Sequence, residues 1–538
     1  MDSRRLMAAG AERGNQNMTG MFHEHDFRDY DFVIMDASYF LIRERNASWM
    51  KELKESRVYV PTTFEAERKA YRELLSEESR ASYDALTRAL SGCRKTPDRP
   101  QSAWEMVLSV SGRGKSVAVV TGNRVFIERI ILENKPPLKA DIFDLNRMEW
   151  ISSEDFPALR EELEFQKEEL SETPPLKEPI GYGTTLYSSK GEELRLCKLG
   201  DKQMSGAESQ LYGVEDLSGN RRGIAKIFRT GTLTPGKILH LNQITEAARH
   251  ISAPWALFPT DTLYRDETRR IFAGILENYA GDSRMLFESR LYQGDFSSPE
   301  ESSMRLSDNL RLCLNLVRQV CFLNHYGFFV SDFNLKNFAL REKEPGRVLM
   351  FDTDSFGFQN YFSGFRAAGI TTANVYDTKT KRGALKFCDD ALYIFAFSIL
   401  SLGSPAIYED KQSHKRVFRF DEEIPDYNRK YLFPERLWRL FEDSFHNGKF
   451  FSAEMLLREL SETLRDLDEH PENDFEYGVR LDEIFSPPSP GTGNPLWKRL
   501  TQAIRSGRLD RVLLILTGCS IIAALYFLFQ SGFFSAFP

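Results

Sequence analysis

Residues 325–356, HYGFFVSDFNLKNFALREKEPGRVLMFDTDSF, read as an apolar strand, a tight polar turn and a second apolar run, then a loop around Pro345–Gly346 and a third apolar run that ends in acids. Asp332 and Asn337 bound the turn, and Asp352 follows the run Val348–Phe351. Two acids and an amide carbonyl at strand ends can converge on one Mg²⁺–phosphate site, because hard oxygen donors suit Mg²⁺. The plainer reading of the same residues is turn-making, since Asp and Asn bond to their own backbone. The residues upstream decide between the two.

The chain has 538 residues, 28% charged and 41% hydrophobic, an ordinary globular balance with length for several domains. A net charge of −7 gives no global argument for nucleic-acid binding. The six cysteines, Cys93, Cys197, Cys313, Cys321, Cys388 and Cys519, include no CxxC pair. That pattern suits a reducing compartment and argues against a disulfide framework and a zinc site.

Residues 1–28 lack apolar periodicity and are expected to be disordered. YDFVIMDASYFL then places Asp36 at the end of a buried strand, Phe32–Met35, of the continuous apolar type found in parallel sheets. VPTTFEAERKAYRELL is expected to form a strand and a helix, and KSVAVVTGNRVFIERIIL a strand, a turn and a helix. This alternation predicts a doubly wound parallel α/β sheet over 29–150. The region resembles a PIN-like domain through MDAS with Asp36, through VPTTFEAE with Glu67 (or Glu65), and through VVTGN with Asn123. That resemblance implies a carboxylate site for Mg²⁺ or Mn²⁺ and RNA as partner. Asn123 stands where active members carry an acid, so weak or no cleavage is expected. Asp98, Glu105 and Asp144 are the candidates for a third carboxylate.

A charged helix and the linker SETPPLKEPIGYG fill 151–180. Next come EELRLCKLG, SQLYGVEDL and GIAKIFR, read as strands, with the loop GDKQMSGAES between the first two. Leu306–Tyr326 has the apolar spacing of a buried-face helix leading into the 325–356 segment. In this order the residues resemble a bacterial protein-kinase-like domain of the D-x-D-S-F type, with SDFNLKN in place of H-R-D-x-x-x-x-N and FDTDSFG in place of D-F-G. The resemblance implies a bilobal α+β fold, with a small lobe over 181–280 and a large lobe over 281–470. It implies ATP and Mg²⁺ as cofactors and a protein hydroxyl as substrate.

Residue by residue, it implies Asp332 as the group that orients the hydroxyl, Asn337, Asp352 and Asp354 as metal ligands, and Lys226 on the phosphates. Gly200 and Gly206 would lie in the phosphate loop, Ala225 against adenine, Glu246 as the helix partner of Lys226, and Glu277, Asn278 and Tyr279 in the hinge. Asp390 would brace the catalytic loop from the start of the helix in CDDALYIFAFSILSLGSP. LWRLFEDSFHNG and FFSAEMLLRELSETL, the second capped by Ser452 with Glu454 nearby, resemble the closing helices of such domains. The chain departs from the family at Val330, Ser331 and Asn334, and no A-P-E segment follows Phe356.

After a linker with a basic juxtamembrane segment, 471–511, residues 512–534 are expected to be a transmembrane helix. Val512–Phe529 carries no charge, and its length suffices to cross a bilayer. Lys498, Arg499, Arg505, Arg508 and Arg511 precede it and no basic residue follows, which places the upstream domains in the cytoplasm of a tail-anchored protein. The expected function is Mg-ATP-dependent phosphotransfer to a protein. The alternatives are a membrane-tethered ribonuclease governed by a nucleotide-binding kinase-like domain, and a catalytically inactive scaffold.

Overall fold

The computed structural model describes residues 26–38, 58–75, parts of 77–84, 94–95, 102–133, 140–164, 173–199, 206, 208–280, 283–286, 303–341, 348–358, 388–402, 405–409, 416–420, 426–446 and 451–485, apart from single positions within these spans. The expected span 512–534 and Gly200 lie outside them. Among the described residues no helix is long and apolar enough to cross a membrane.

The amino-terminal domain is a six-stranded sheet: β1 (Phe32–Met35), β2 (Val58–Val60), β3 (Arg94–Lys95), β4 (Val117–Thr121), β5 (Ala140–Asp144) and β6 (Glu149–Ile151). The strand order is β3-β2-β1-β4-β5-β6. The first five strands run parallel, as the uniformly apolar β1 and β4 predict, and β6 returns antiparallel from β5. Helices α1 (Phe64–Leu74), α2 (Ala103–Ser111), α3 (Arg124–Glu133) and α4 (Phe156–Glu164) accompany it. Ile151 and Phe156 pack with this sheet's core, so the domain continues past residue 150.

A second sheet closes into a barrel from β7 (Thr185–Ser188), β8 (Glu193–Cys197), β9 (Ser209–Asp216), β10 (Arg221–Phe228), β11 (Pro259–Tyr264) and β12 (Phe272–Glu277). Alternate residues fill it, including Leu186, Leu196, Tyr212, Val214 and Ala225. Helix α5 (Pro235–Ala248) starts at Thr234, whose hydroxyl accepts from the Lys237 amide at 3.1 Å, with Pro235 in its first turn. Gly274 lets β10 and β12 close up, since a Cβ there would lie 2.2 Å from the Lys226 carbonyl oxygen.

The third unit is helical. Helix α6 (Leu306–His325) lies among α7 (Cys388–Leu400), α8 (Glu435–His446), α9 (Ala453–Glu469) and α10 (Tyr477–Phe485). Two small sheets carry the segment read first: β13 (Ser283–Met285) with β15 (Phe338–Arg341) and β16 (Val348–Met350), and β14 (Phe328–Phe329) with β17 (Gly357–Phe358). Tyr477 bonds through its hydroxyl to Asn309 and to the Leu400 carbonyl, so the lobe continues past residue 470.

The amino-terminal sheet and the helical lobe share one apolar core, in which Val33, Met35 and Tyr71 pack in the same cluster as Leu316, Phe322 and Leu460. Polar contacts cross the seam: His325 Nε2 meets the Tyr71 hydroxyl at 2.6 Å, Arg458 donates to Thr62 Oγ1 at 3.2 Å, and Arg318 pairs with Glu73.

Burial pushes the His325 pKa down to about 3. The unfolded chain therefore takes up a proton below the ordinary histidine value that the folded chain refuses, and stability falls with pH by about 1.4 kcal/mol per unit through this window. His325→Gln is expected to shrink the loss of denaturant resistance between about pH 7 and about pH 5 relative to the parent chain. An unchanged pH profile would show that His325 titrates freely in the fold.

Candidate functional site

Strand β14 delivers the chain to Asp332 and β15 carries it away from Asn337, so the turn between two buried strands fixes both side chains. Asn337 Nδ2 donates to the Asp332 carboxylate at 3.0 Å and to its backbone carbonyl at 3.2 Å. Burial raises the Asp332 pKa to about 6; the Asn337 amide opposes this and the nearby Asp352 charge adds to it. Its Oδ1 is buried with no hydrogen-bond partner, which leaves an acceptor for an incoming hydroxyl. Asn334 is a turn cap whose side chain accepts from the Lys336 amide.

Strand β16 ends next to that turn, with Phe351 N donating to the Asn337 carbonyl at 2.8 Å. Asp352 then takes a left-handed conformation, φ 54°, unusual for a residue with a Cβ. A single 3₁₀ turn, Thr353–Ser355, follows. His240 of α5 donates from Nε2 to the Phe356 carbonyl at 2.8 Å, and Gly357 leaves room for the Phe329 ring.

Lys226 reaches both acids of this turn, pairing with Asp352 and, at 2.6 Å, with Asp354. Burial opposes the ammonium charge, but Asp354, Asp352 and Glu277 outweigh it and hold the Lys226 pKa above the ordinary value. Burial also works against the Asp352 charge, and Lys226 overcomes it, so Asp352 stays below the usual carboxylate range. Asp354 is pushed up by its burial.

Two expectations for the cleft are corrected here. Ala225 faces the barrel core with Ile227, because strand neighbours point to opposite faces and Lys226 takes the cleft side. Glu246 is directed away from Lys226 and pairs with Arg249 and His250. Glu277 adds a buried carboxyl near Lys226: burial raises its pKa to about 8 and Lys226 opposes the shift. Tyr279 is exposed with Arg221 over its ring, and Gly206 donates its amide to the Ser209 carbonyl beside the outer end of β9. Asp390 falls in the first turn of α7, with its side chain outside the described residues.

Asp36, Glu67 and Asn123 meet at the carboxyl ends of the amino-terminal strands, and they line one cavity of about 20 Å³ with Ser452 and Glu454 from the helical lobe. Asp36 accepts from Ser38 and Thr121. Asn123 Nδ2 donates to Glu454 Oε1 at 2.8 Å. Burial raises the Asp36 pKa to about 7 and drives Glu67 and Glu454 upward as well. Of the other acids considered, Glu105 instead forms a reciprocal cap with Ser102, Asp144 accepts from the Asn146 amide, and Asp98 lies outside the described residues. In the sequence Glu454 stands out only as an acid beside the Ser452 cap, because a first-turn acid ordinarily serves its own helix terminus.

No protein-family model matches the chain, and neither does any of the curated proteins. Similar solved structures include the BubR1 kinase domain, at 14% identity and TM-score 0.37, covering 62% of this chain and 97% of that one. The ROP18 kinase domain in complex with AMP-PNP and sucrose is similar at 14% identity and TM-score 0.36, covering 55% and 88%. ROP2 from Toxoplasma gondii, described as having a protein-kinase fold and no enzymatic activity, is similar at 14% identity and TM-score 0.38, covering 54% and 86%. In this chain the barrel carries Lys226 to the acids that follow the Asp332–Asn337 turn of the helical lobe.

Removing one partner of a buried ion pair leaves the others uncompensated, at about 3–5 kcal/mol. Lys226→Met is therefore expected to lower the stability of the isolated chain by that order, measured by denaturant unfolding. Glu277→Gln, at a carboxyl already largely neutral near pH 7, is expected to change it by less than about 1 kcal/mol. Equal losses from the two variants would contradict the charge assignment.

Proposed function

We propose that the chain is a membrane-anchored, kinase-like phosphotransferase that moves phosphate from Mg-ATP to a protein hydroxyl and carries an appended PIN-like domain. The observation behind this reading is the convergence of Lys226, Asp352 and Asp354 beside the Asp332–Asn337 turn. Asn337, Asp352 and Asp354 offer the oxygen donors that Mg²⁺ takes, and bound Mg²⁺ supplies charge neutralisation of the phosphates. Lys226 would exchange its acids for a phosphate, and the free Oδ1 of Asp332 would accept the hydroxyl proton. The uncharged run Val512–Phe529 and the bases before it support a cytoplasmic orientation on the membrane.

One observation favours a second reading, an inactive scaffold: Lys226 is already neutralised by the protein's own acids. A ribonuclease is less favoured, because Asn123 stands in place of an acid and spends its amide on Glu454.

Labelled ATP separates these readings. Asp352→Asn is expected to keep the fold, since Asp354 still pairs with Lys226, and to reduce Mg²⁺-dependent phosphotransfer by at least about 100-fold. Undiminished transfer by folded Asp352→Asn would refute the metal role. ATP binding without transfer in the parent chain would select the scaffold.

A further inference from the structure

Helix α5 brings a second lysine to the cleft, and phosphotransfer as proposed above leaves it unused. Lys237 stands in the first turn of α5 and is only 3% exposed. Burial and position both oppose its charge, since the amino-terminal end of a helix is the unfavourable end for a cation. Its ion-pair partner is Glu208, just before β9, with a side chain that is 55% exposed. Water solvates that carboxylate whether or not the pair is made, so Glu208 loses little on release. The buried ammonium has no such alternative and can leave Glu208 only for another anion.

The surroundings of Lys237 are those of the cleft. Its Nζ lies 4.8 Å from the centre of the Phe228 ring, and Lys226 Nζ lies 6.0 Å from the same ring. Phe228 is two residues beyond Lys226 on β10 and shares its face, so both ammonium groups border one side chain. Burial and Lys226 act most strongly on Asp352 and Asp354, and the Lys237 charge reaches both as well, favouring their ionised forms. Burial lowers the His240 pKa to about 4, and the Lys237 charge adds to that shift. Glu246 is the one acid of α5 and pairs with Arg249 and His250, so toward the acids of the turn this helix presents a cation.

We propose that Lys237 is a second phosphate-binding lysine of the cleft, held by Glu208 until a nucleotide phosphate replaces that carboxylate. This role rests on the phosphotransfer proposed above and adds a residue to it. A triphosphate keeps excess negative charge after it has bound Mg²⁺, and two ammonium groups match that charge better than one. Lys237 exchanges one anion for another and keeps a partner throughout, while Glu208 passes into water.

The test is the affinity of the full chain, in detergent, for Mg-ATP and for adenosine, by titration calorimetry. Lys237→Gln is expected to weaken Mg-ATP binding by at least about ten-fold and to leave adenosine affinity within about two-fold of the parent. Glu208→Gln removes the carboxylate that competes for Lys237, and Mg-ATP is expected to bind it at least about two-fold more tightly. Equal losses for Mg-ATP and adenosine in Lys237→Gln would overturn the proposal by showing that Lys237 only supports the cleft. Unchanged or weaker Mg-ATP binding in Glu208→Gln would overturn it by showing that the pair is a structural tie. Should Lys237→Gln fail to fold, Glu208→Gln, altered at an exposed side chain, decides alone. A parent chain that binds no Mg-ATP would reject phosphotransfer and this role together. A parent that binds it, with neither variant changed, would reject this role alone.

Discussion

Helix α6 must be covered on nearly every side, and the architecture follows from that requirement. Leu310, Cys313, Leu316, Val317, Val320, Phe322 and Leu323 are all buried, and together they occupy more than one helical face. A helix apolar over so much of its circumference is stable only inside a core. Helices α7 and α9 cover part of it, β16 covers another, and α1 of the amino-terminal domain closes the remainder, with the Tyr71 ring against Phe322. The amino-terminal domain is thus a wall of the lobe that carries the Asp332–Asn337 turn. Glu67 and Tyr71 sit one turn apart on α1, and His325, which meets Tyr71, is three residues before Phe328. The acid cavity and the Asp332–Asn337 turn are joined by packed side chains and a short stretch of chain.

What could be read from the sequence was what is local. The turn from Asp332 to Asn337 and the acids after β16 lie within a few dozen residues, and continuous apolar runs announced β1 and β4. The errors have physical causes. Assigning Ala225 to the cleft ignored strand parity, since adjacent residues cannot share a face. Glu246 lies on the expected helix, but α5 turns it to solvent and presents His240 to the Phe356 carbonyl. Glu454 lies 331 positions from Asn123, and no periodicity in either segment records that contact.

The cleft's charges place a condition on anything that binds there. Lys226 faces Asp352 and Asp354, with Glu277 near it, so the site in this state is neutral or acidic and internally paired. An anion that takes Lys226 alone would leave two acids without their cation. A cation that takes the two acids alone would leave a buried ammonium without its anions. Each half-step strands charge in a low-dielectric cleft, which is the costly way to break a buried pair.

Only a cation and an anion arriving together leave every group compensated. A metal–nucleotide complex has that composition, and free nucleotide does not. The left-handed backbone at Asp352 belongs to the same logic: it turns one carboxylate outward from the strand end while Asp354 stays buried beside Lys226. If the cleft takes a metal–nucleotide complex as proposed, Asp352 would be the acid that turns to the metal and Asp354 the one that keeps Lys226 paired until a phosphate takes its place. In that order the buried ammonium would never lose all its anions, and neither component alone would allow it.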